Sequence, residues 1–215
     1  MTSPHLEIDH SDEPIRLFKS DFLEFFTHIS PIVVIAIWLP IVILCLFYSI
    51  KLGTVSLLLI LVGYLSGLFL WTISEYLLHR FLFHFRPRNK WQERAAFLFH
   101  GIHHAQPKIK TRLVMPPALA IPLAAIFYGL FYLVFSVILS ANAWTYSTFA
   151  GFITGYIFYD LTHYATHHFP MRRGVWKWLK RHHMQHHYKN PSLQFGVSSP
   201  LWDYAFRTMP KVRKP

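Results

Sequence analysis

The chain has 215 residues, of which 53% are hydrophobic, 18% aromatic and only 14% charged, with a formal net charge of +11. Soluble domains carry about 25% charged residues, so this composition excludes an ordinary water-soluble domain, and the length fits one domain. Cys45 is the only cysteine, which excludes an intramolecular disulfide and a cysteine-based zinc site and leaves any metal to histidine and carboxylate.

In chain order, residues 1–14 contain Pro4, Pro14 and several acids without an apolar period, and are expected to form a flexible tail. The polar, acidic-leaning first 30 residues do not read as a cleaved signal peptide. From Ile15 to His28, apolar residues recur at helical spacing with Arg16, Lys19, Asp21 and Glu24 between them. That pattern predicts an amphipathic helix, lying in a membrane interface or packed on its own protein. Residues 1–30 are thus tail and interfacial helix, and 31–215 the main domain.

Pro31 to Ile50 and Thr54 to Ser74 carry no charge, and each is long enough to cross a hydrocarbon core of about 30 Å. Lys51–Gly53 joins them, which predicts a tight helical hairpin, with Pro40 kinking its first arm. Leu113–Leu139 and Ala143–Tyr159 form a second pair joined around Ser140–Asn142. Four such runs leave too little polar surface to cover them as buried core helices. The expected spans are therefore about 31–50, 54–74, 113–139 and 143–160.

Eighteen of the 21 basic residues lie in Arg80–Arg112 and Arg172–Lys214. Beside these apolar blocks, the charge points to a membrane surface and anionic headgroups, not to nucleic acid. The two short connections hold only Lys51, so the charge asymmetry places both termini and the central loop in the cytoplasm.

Twelve of the 15 histidines fall in four clusters on that same side, apart from His5, His10 and His28. At about 3.6 residues per turn, positions i, i+3 and i+4 share a helix face. His100, His103 and His104 then point one way, as do His183, His186 and His187, and also His163 and His167. His168 lies about 140° round from His163 and is set aside. His182 shares a face with His186 and stays open on periodicity. His79 and His84, five apart, need a break, which Phe85-Arg86-Pro87 would provide. The candidate ligands are His79, His84, His100, His103, His104, His163, His167, His183, His186 and His187. Ten imidazoles suit two ions, and neutral imidazole suits iron, zinc or copper. Glu75 and Asp160, at the ends of apolar runs, are expected to accept hydrogen bonds from the second ring nitrogens of ligand histidines, with a salt bridge to an interfacial arginine as the alternative. The fold expected is an all-α membrane protein, four transmembrane helices in two hairpins, with a cytoplasmic helical cap (79–112 and 161–215) holding a polyhistidine dimetal site.

The order and spacing of these clusters resemble the fatty acid hydroxylase superfamily of membrane di-iron oxygenases. The likeness runs from about Pro31 to Thr208. It rests on Glu75–His84, His100–His104, Tyr159–His168 and His183–Tyr188, and Arg112–Pro117 and Phe195–Tyr204 narrow it to fatty acid 2-hydroxylases. By resemblance, all ten candidates fall on family ligand positions, with His183 chosen over His182. The resemblance implies two iron ions, with zinc the alternative occupant of isolated protein. It also implies O2 as co-substrate and insertion of one oxygen atom at C2 of a fatty acyl chain, free or in ceramide.

The His-Pro-Gly-Gly haem signature of fused cytochrome b5 domains does not occur, so electrons are expected from a separate cytochrome b5-like or ferredoxin-like donor. This short form leans to a bacterial inner membrane, with endoplasmic reticulum the alternative. The acyl chain is expected in an apolar slot between the four helices, with Trp202, Tyr204 and Phe206 packing the cap onto headgroups. Rival readings are a sphingoid-base C4, sterol or carotenoid hydroxylase on the same scaffold, or a non-redox zinc membrane protein. A transporter would hold its ligands near the bilayer midplane, whereas these sit at helix ends and in loops.

Overall fold

Serine caps and proline positions set the frame on which everything else is hung. Ser30 accepts from the Ile32 N–H and starts α2 (Pro31–Lys51), with Pro31 at its first position, where a missing N–H costs nothing. Ser56 likewise starts α3 (Leu57–Leu77), and α2 runs unbroken through Pro40. The computed structural model describes residues 8–9 and 11–211, so His5 and His10 lie outside the described residues.

Among the described residues the regular elements are all helical. Three stretches are long and apolar enough to cross a membrane: Pro31–Lys51, Leu57–Phe83 and Lys110–Ile138. The last contains α6 (Pro117–Phe131) and its wider-wound continuation Tyr132–Ile138. Their large exposed side chains, such as Ile32, Ile43, Leu57, Leu58 and Ile126, are apolar, as a lipid-facing surface requires.

The fourth expected span falls within α7 (Asn142–His168), which is not apolar enough to qualify with those three. The reason is position. α7 is the central helix, and Thr145, Ser147, Thr148, Thr166 and Asp160 on it are buried by protein. A helix enclosed by other helices need not be lipid-soluble all round. The hairpin expectation shifts for the same reason, because α2 and α3 both pack chiefly on α7 and hardly on each other. Glycines set the closeness of that packing: a Cβ on Gly151 would overlap the Tyr64 carbonyl, and one on Gly67 the Thr148 carbonyl. Trp71, Phe152 and Tyr156 fill the seam edge to face.

The N-terminal segment differs most from the periodicity. Only Asp21–Phe25 (α1) is helical. Side-chain acceptors capture the N–H groups that a longer helix would use. Glu24 Oε2 takes those of Leu17 and Phe18 at 2.9 and 2.8 Å, and Gln106 Oε1 takes that of Ile15 at 2.9 Å. The expected flexible tail is also tied down where it is described. The Asp9 N–H donates to Ala105 O, and Gln106 Nε2 donates to Asp9 and to Glu13 O.

Over the end of the bundle lie α4 (Lys90–Ala96), α5 (Ile102–Ala105), α8 (Gly174–Tyr188) and α9 (Leu201–Ala205). Trp202 and Phe206 tie the cap to the bundle, though Phe206 stays 46% exposed. Trp202 Nε1 donates to Thr72 Oγ1 and Phe206 stacks on Tyr76, so both dock α9 on α3, while Tyr204 stays exposed.

Candidate metal centre

The ten histidines converge in two groups of five. One holds His79, His84, His100, His104 and His186, the other His103, His163, His167, His183 and His187, and within each group the ligand-type nitrogens lie within 4.8 Å of one another. Each group has the same composition: two pairs from neighbouring turns and one single histidine. The first takes His79/His84 and His100/His104 as pairs and His186 singly. The second takes His163/His167 and His183/His187 as pairs and His103 singly.

The shared-face expectation is therefore refined. His100 and His104 turn to the first group while His103, between them, turns to the second. His183 and His187 likewise part from His186. The segments that follow each bundle helix thus tie the two groups together.

The helix does end at His84, just before Phe85-Arg86-Pro87, and a second device brings His79 and His84 together. Leu78–Phe83 winds as a π-helix, and the His84 N–H bonds the His79 carbonyl five residues back at 3.1 Å. That wider winding brings positions five apart nearly over one another, and such turns recur at functional sites. A second π-turn, Phe97–Gly101, carries His100. His168 and His182 belong to neither group.

The nitrogens are aimed for a cation. His79 Nδ1 donates to Phe195 O and His186 Nδ1 to Leu193 O at 2.7 Å. With one ring N–H spent on a carbonyl, each Nε2 presents a bare lone pair. Yet His100 Nε2 lies 3.1 Å from those of both His79 and His104, and His84 Nε2 lies 3.0 Å from that of His186. One N–H on His100 cannot serve two neighbours. In the second group His103 and His163, and His167 and His183, approach at 2.9 Å, and both ring nitrogens of buried His187 lack a protein partner. Burial first, then mutual repulsion, holds His100, His103, His104, His183, His186 and His187 well below the ordinary imidazole pKa of 6.5. Ten neutral imidazoles with converging lone pairs form a donor set that fits two borderline cations.

The carboxylates act one step further out than expected. Glu75 accepts no histidine N–H; it accepts from the Val197 and Ser198 N–H groups at 2.6 and 2.8 Å and from the Ser198 hydroxyl. Asp160 accepts from the Met115 N–H and from Tyr156. Neither meets an arginine. Backbone carbonyls hold His79 and His186 instead, and Glu75 helps fix the loop that presents Phe195 O to His79.

Asp203 is the residue that spacing missed. It is fully buried and takes the Phe195 N–H, the Gly196 N–H, the Thr208 hydroxyl and His182 Nε2 at 2.7–3.1 Å. Burial alone would raise its pKa, but these four donors hold it below the ordinary 3.8. His182 is accordingly a loop anchor, with Gln194 on its other nitrogen. The one sequence signal for this was an acid ending a stretch, residues 161–202, that has no other.

A cavity of about 350 Å³ opens onto the histidines. His100 of the first group and His103 and His163 of the second line it, and the rest is mainly apolar. Its walls are only partly the long helices: Ala118 and Leu119 of α6 and Tyr159 and Asp160 of α7 line it together with the N-terminal segment (Leu17, Phe18, Leu23, Phe26), the Leu98–His103 stretch and Arg112–Pro116. The buried Arg112 is held by Glu24 and Ile15 O, which fixes the N-terminal wall in place.

Comparison with known proteins gives concordant matches. The profile of the fatty acid hydroxylase family matches residues 64–208. A dihydroceramide fatty acyl 2-hydroxylase of Arabidopsis thaliana is 38% identical over 93% of this chain and 82% of its own length. A ceramide very long chain fatty acid hydroxylase of Saccharomyces cerevisiae is 40% identical over 87% of this chain and 48% of its own. The human fatty acid 2-hydroxylase is 36% identical, over 91% and 57% respectively. The solved structure of full-length scs7p, in which only the hydroxylase domain is visible, superposes with a TM-score of 0.82 at 39% identity, covering 91% of this chain and 72% of that one.

Proposed function

The chain belongs to the fatty acid hydroxylase family, and from that premise we propose that it is a membrane monooxygenase that hydroxylates C2 of fatty acyl chains. One observation carries the reading: a single apolar cavity touches histidines of both five-membered groups. A carbon atom held there lies beside either centre.

His79, His84, His100, His104 and His186 would hold one iron, and His103, His163, His167, His183 and His187 the other. Bound iron supplies the redox chemistry, in which O2 and two electrons deliver one oxygen atom to the acyl carbon and one to water. The protein's own contribution is placement. Phe195 O and Leu193 O fix the rings of His79 and His186, and therefore which nitrogen faces the centre. Leu17, Phe18, Phe26, Leu98 and Leu119 bind the methylene chain and exclude water. An acyl group lying in this slot with its polar end towards the cap presents the carbons next to the carbonyl to the histidines. The names of relatives that act on dihydroceramide and ceramide support an amide-linked acyl group as substrate.

α7 would be the fourth span, enclosed by the three lipid-facing ones. The loop charges support a topology with the central loop and the histidines on the cytoplasmic side.

Lipids from cells expressing the chain with a compatible reductase test the reading. 2-Hydroxy acyl chains are expected, and His103→Ala and His183→Ala should each abolish them and lower metal content. Activity retained in both variants refutes the site. Hydroxylation at another carbon or on another lipid makes this a different hydroxylase of the same family.

A further inference from the structure

α8 has two faces with different work. Its inner face carries Leu179, His182, His183, His186 and His187, all buried. His186 belongs to the first histidine group and His183 and His187 to the second, so this one helix reaches both centres. Its outer side is exposed and basic. Lys177 and Arg181 on the helix, Arg172 and Arg173 just before it and Lys189 just after it are all exposed and, among the described residues, none forms a salt bridge. No acidic residue occurs between positions 161 and 202 to neutralise them. Trp178 and Tyr188, 39% and 47% exposed, lie among these charges. Trp, Tyr and Arg are the residues that dominate protein–protein contacts.

Resting on the monooxygenase reading above, we propose that this outer face of α8 is the docking surface for an acidic one-electron carrier protein. Hydroxylation balances only with electrons from outside: RH, O2, two electrons and two protons give ROH and water. Two encounters with a reduced carrier supply the electrons, each encounter oxidising one carrier. A carrier seated on α8 is separated from ligands of both centres by one helix, about 10–12 Å across with its side chains. Among the described residues, no other helix carries histidines of both groups together with so long an unneutralised basic face. Burial of the inner face against the end of α7 turns the outer face away from the bundle. Unpaired cations around exposed aromatics give the steering field and the contact core that a transient acidic partner requires.

The test uses the full chain in phosphatidylcholine nanodiscs, with the reduced soluble domain of cytochrome b5 as the acidic probe. Arg172→Glu/Lys177→Glu/Arg181→Glu should lower kcat/KM for the carrier at least tenfold and flatten its dependence on ionic strength. The corresponding glutamine triple variant should fall in between. Single turnover after chemical reduction with dithionite should be unchanged in both. Undiminished reaction with the carrier overturns the proposal. So does an equal loss in the chemically reduced arm, which would place the effect in the metal centre. A defect seen only when phosphatidylserine is added also overturns it, by making the face a lipid contact. Absence of hydroxylated product from chemically reduced wild-type protein would instead sink the monooxygenase reading.

Discussion

Asp203→Asn attacks the metal centre from a residue that touches none of its histidines. Oδ1 accepts from the Phe195 N–H and the Thr208 hydroxyl, and Oδ2 from the Gly196 N–H and His182 Nε2. Asparagine keeps one oxygen and turns an NH2 group towards two donors. Each buried donor left without an acceptor costs about 1–3 kcal/mol, so the variant should lose about 2–6 kcal/mol. Against a total stability of about 5–15 kcal/mol, that lowers the unfolding temperature by on the order of 10 °C. The loop that slackens presents Phe195 O to His79 and, two residues earlier, Leu193 O to His186. Both histidines belong to the first group, so that centre should weaken by about 10–100-fold, the usual effect of losing outer support. Thermal unfolding in detergent and elemental analysis after dialysis read both quantities. Metal should fall from two towards one per chain, and combining the change with His163→Ala should remove the remainder. An unfolding temperature within a degree or two of wild type, with both metals retained, would falsify this chain of support.

Other outcomes follow from single contacts. His182→Ala should lower thermal stability yet keep full metal stoichiometry, whereas His186→Ala should lose metal; equal metal loss in the two would return His182 to the ligand set. Gly151→Ala drives a methyl group into the Tyr64 carbonyl and should cost about 1–3 kcal/mol, while Gly129→Ala meets nothing within 4 Å and should be neutral or mildly stabilising in the same unfolding assay. Glu24→Gln leaves the buried Arg112 without its carboxylate. At about 3 kcal/mol, the low end for a broken buried pair because Ile15 O remains a partner, it should expose the N-terminal wall to limited proteolysis. Metal-free protein should lose stability as pH falls below 6.5, the ordinary histidine value. The buried rings stay neutral in the folded state while those of the unfolded chain take protons, so the unfolded state gains. A flat unfolding temperature from pH 7.5 to 5.5 would contradict that neutrality.

The apolar runs made the frame legible because a lipid-facing stretch of helix must be apolar, and Pro31–Ile50 and Leu57–Ser74 carry no charge. α7 was harder to read. Its Thr145, Thr148, Gly151 and Gly155 are tolerated because other helices surround it, and neighbours in space leave no mark on hydropathy. The N-terminal segment misled in the opposite sense. Its spacing of Ile15, Phe18, Phe22, Phe25 and Phe26 is helical, but Glu24 and Gln106 outcompete the backbone for the amides of Ile15, Leu17 and Phe18. A side-chain acceptor 91 residues away is invisible to a local period.

At the centre, identity was easier to read than allocation. Clustering brings forward ten histidines because imidazole has little other reason to recur at i, i+3 and i+4. What clustering cannot show is that the i+4 partner and the i+3 partner part company. His100 and His104 turn to one group and His103 to the other, and α8 repeats the split with His183, His187 and His186. That crossing has a mechanical consequence. If each group drew only on its own bundle helix and the segment after it, the two centres could drift apart whenever α3 and α7 shifted. With His186 lent to the first group and His103 to the second, separation of the helices would pull a histidine out of each group. The tight Gly67 and Gly151 contacts between α3 and α7 then serve the chemistry as well as the fold. They fix the span across which one cavity can touch both groups.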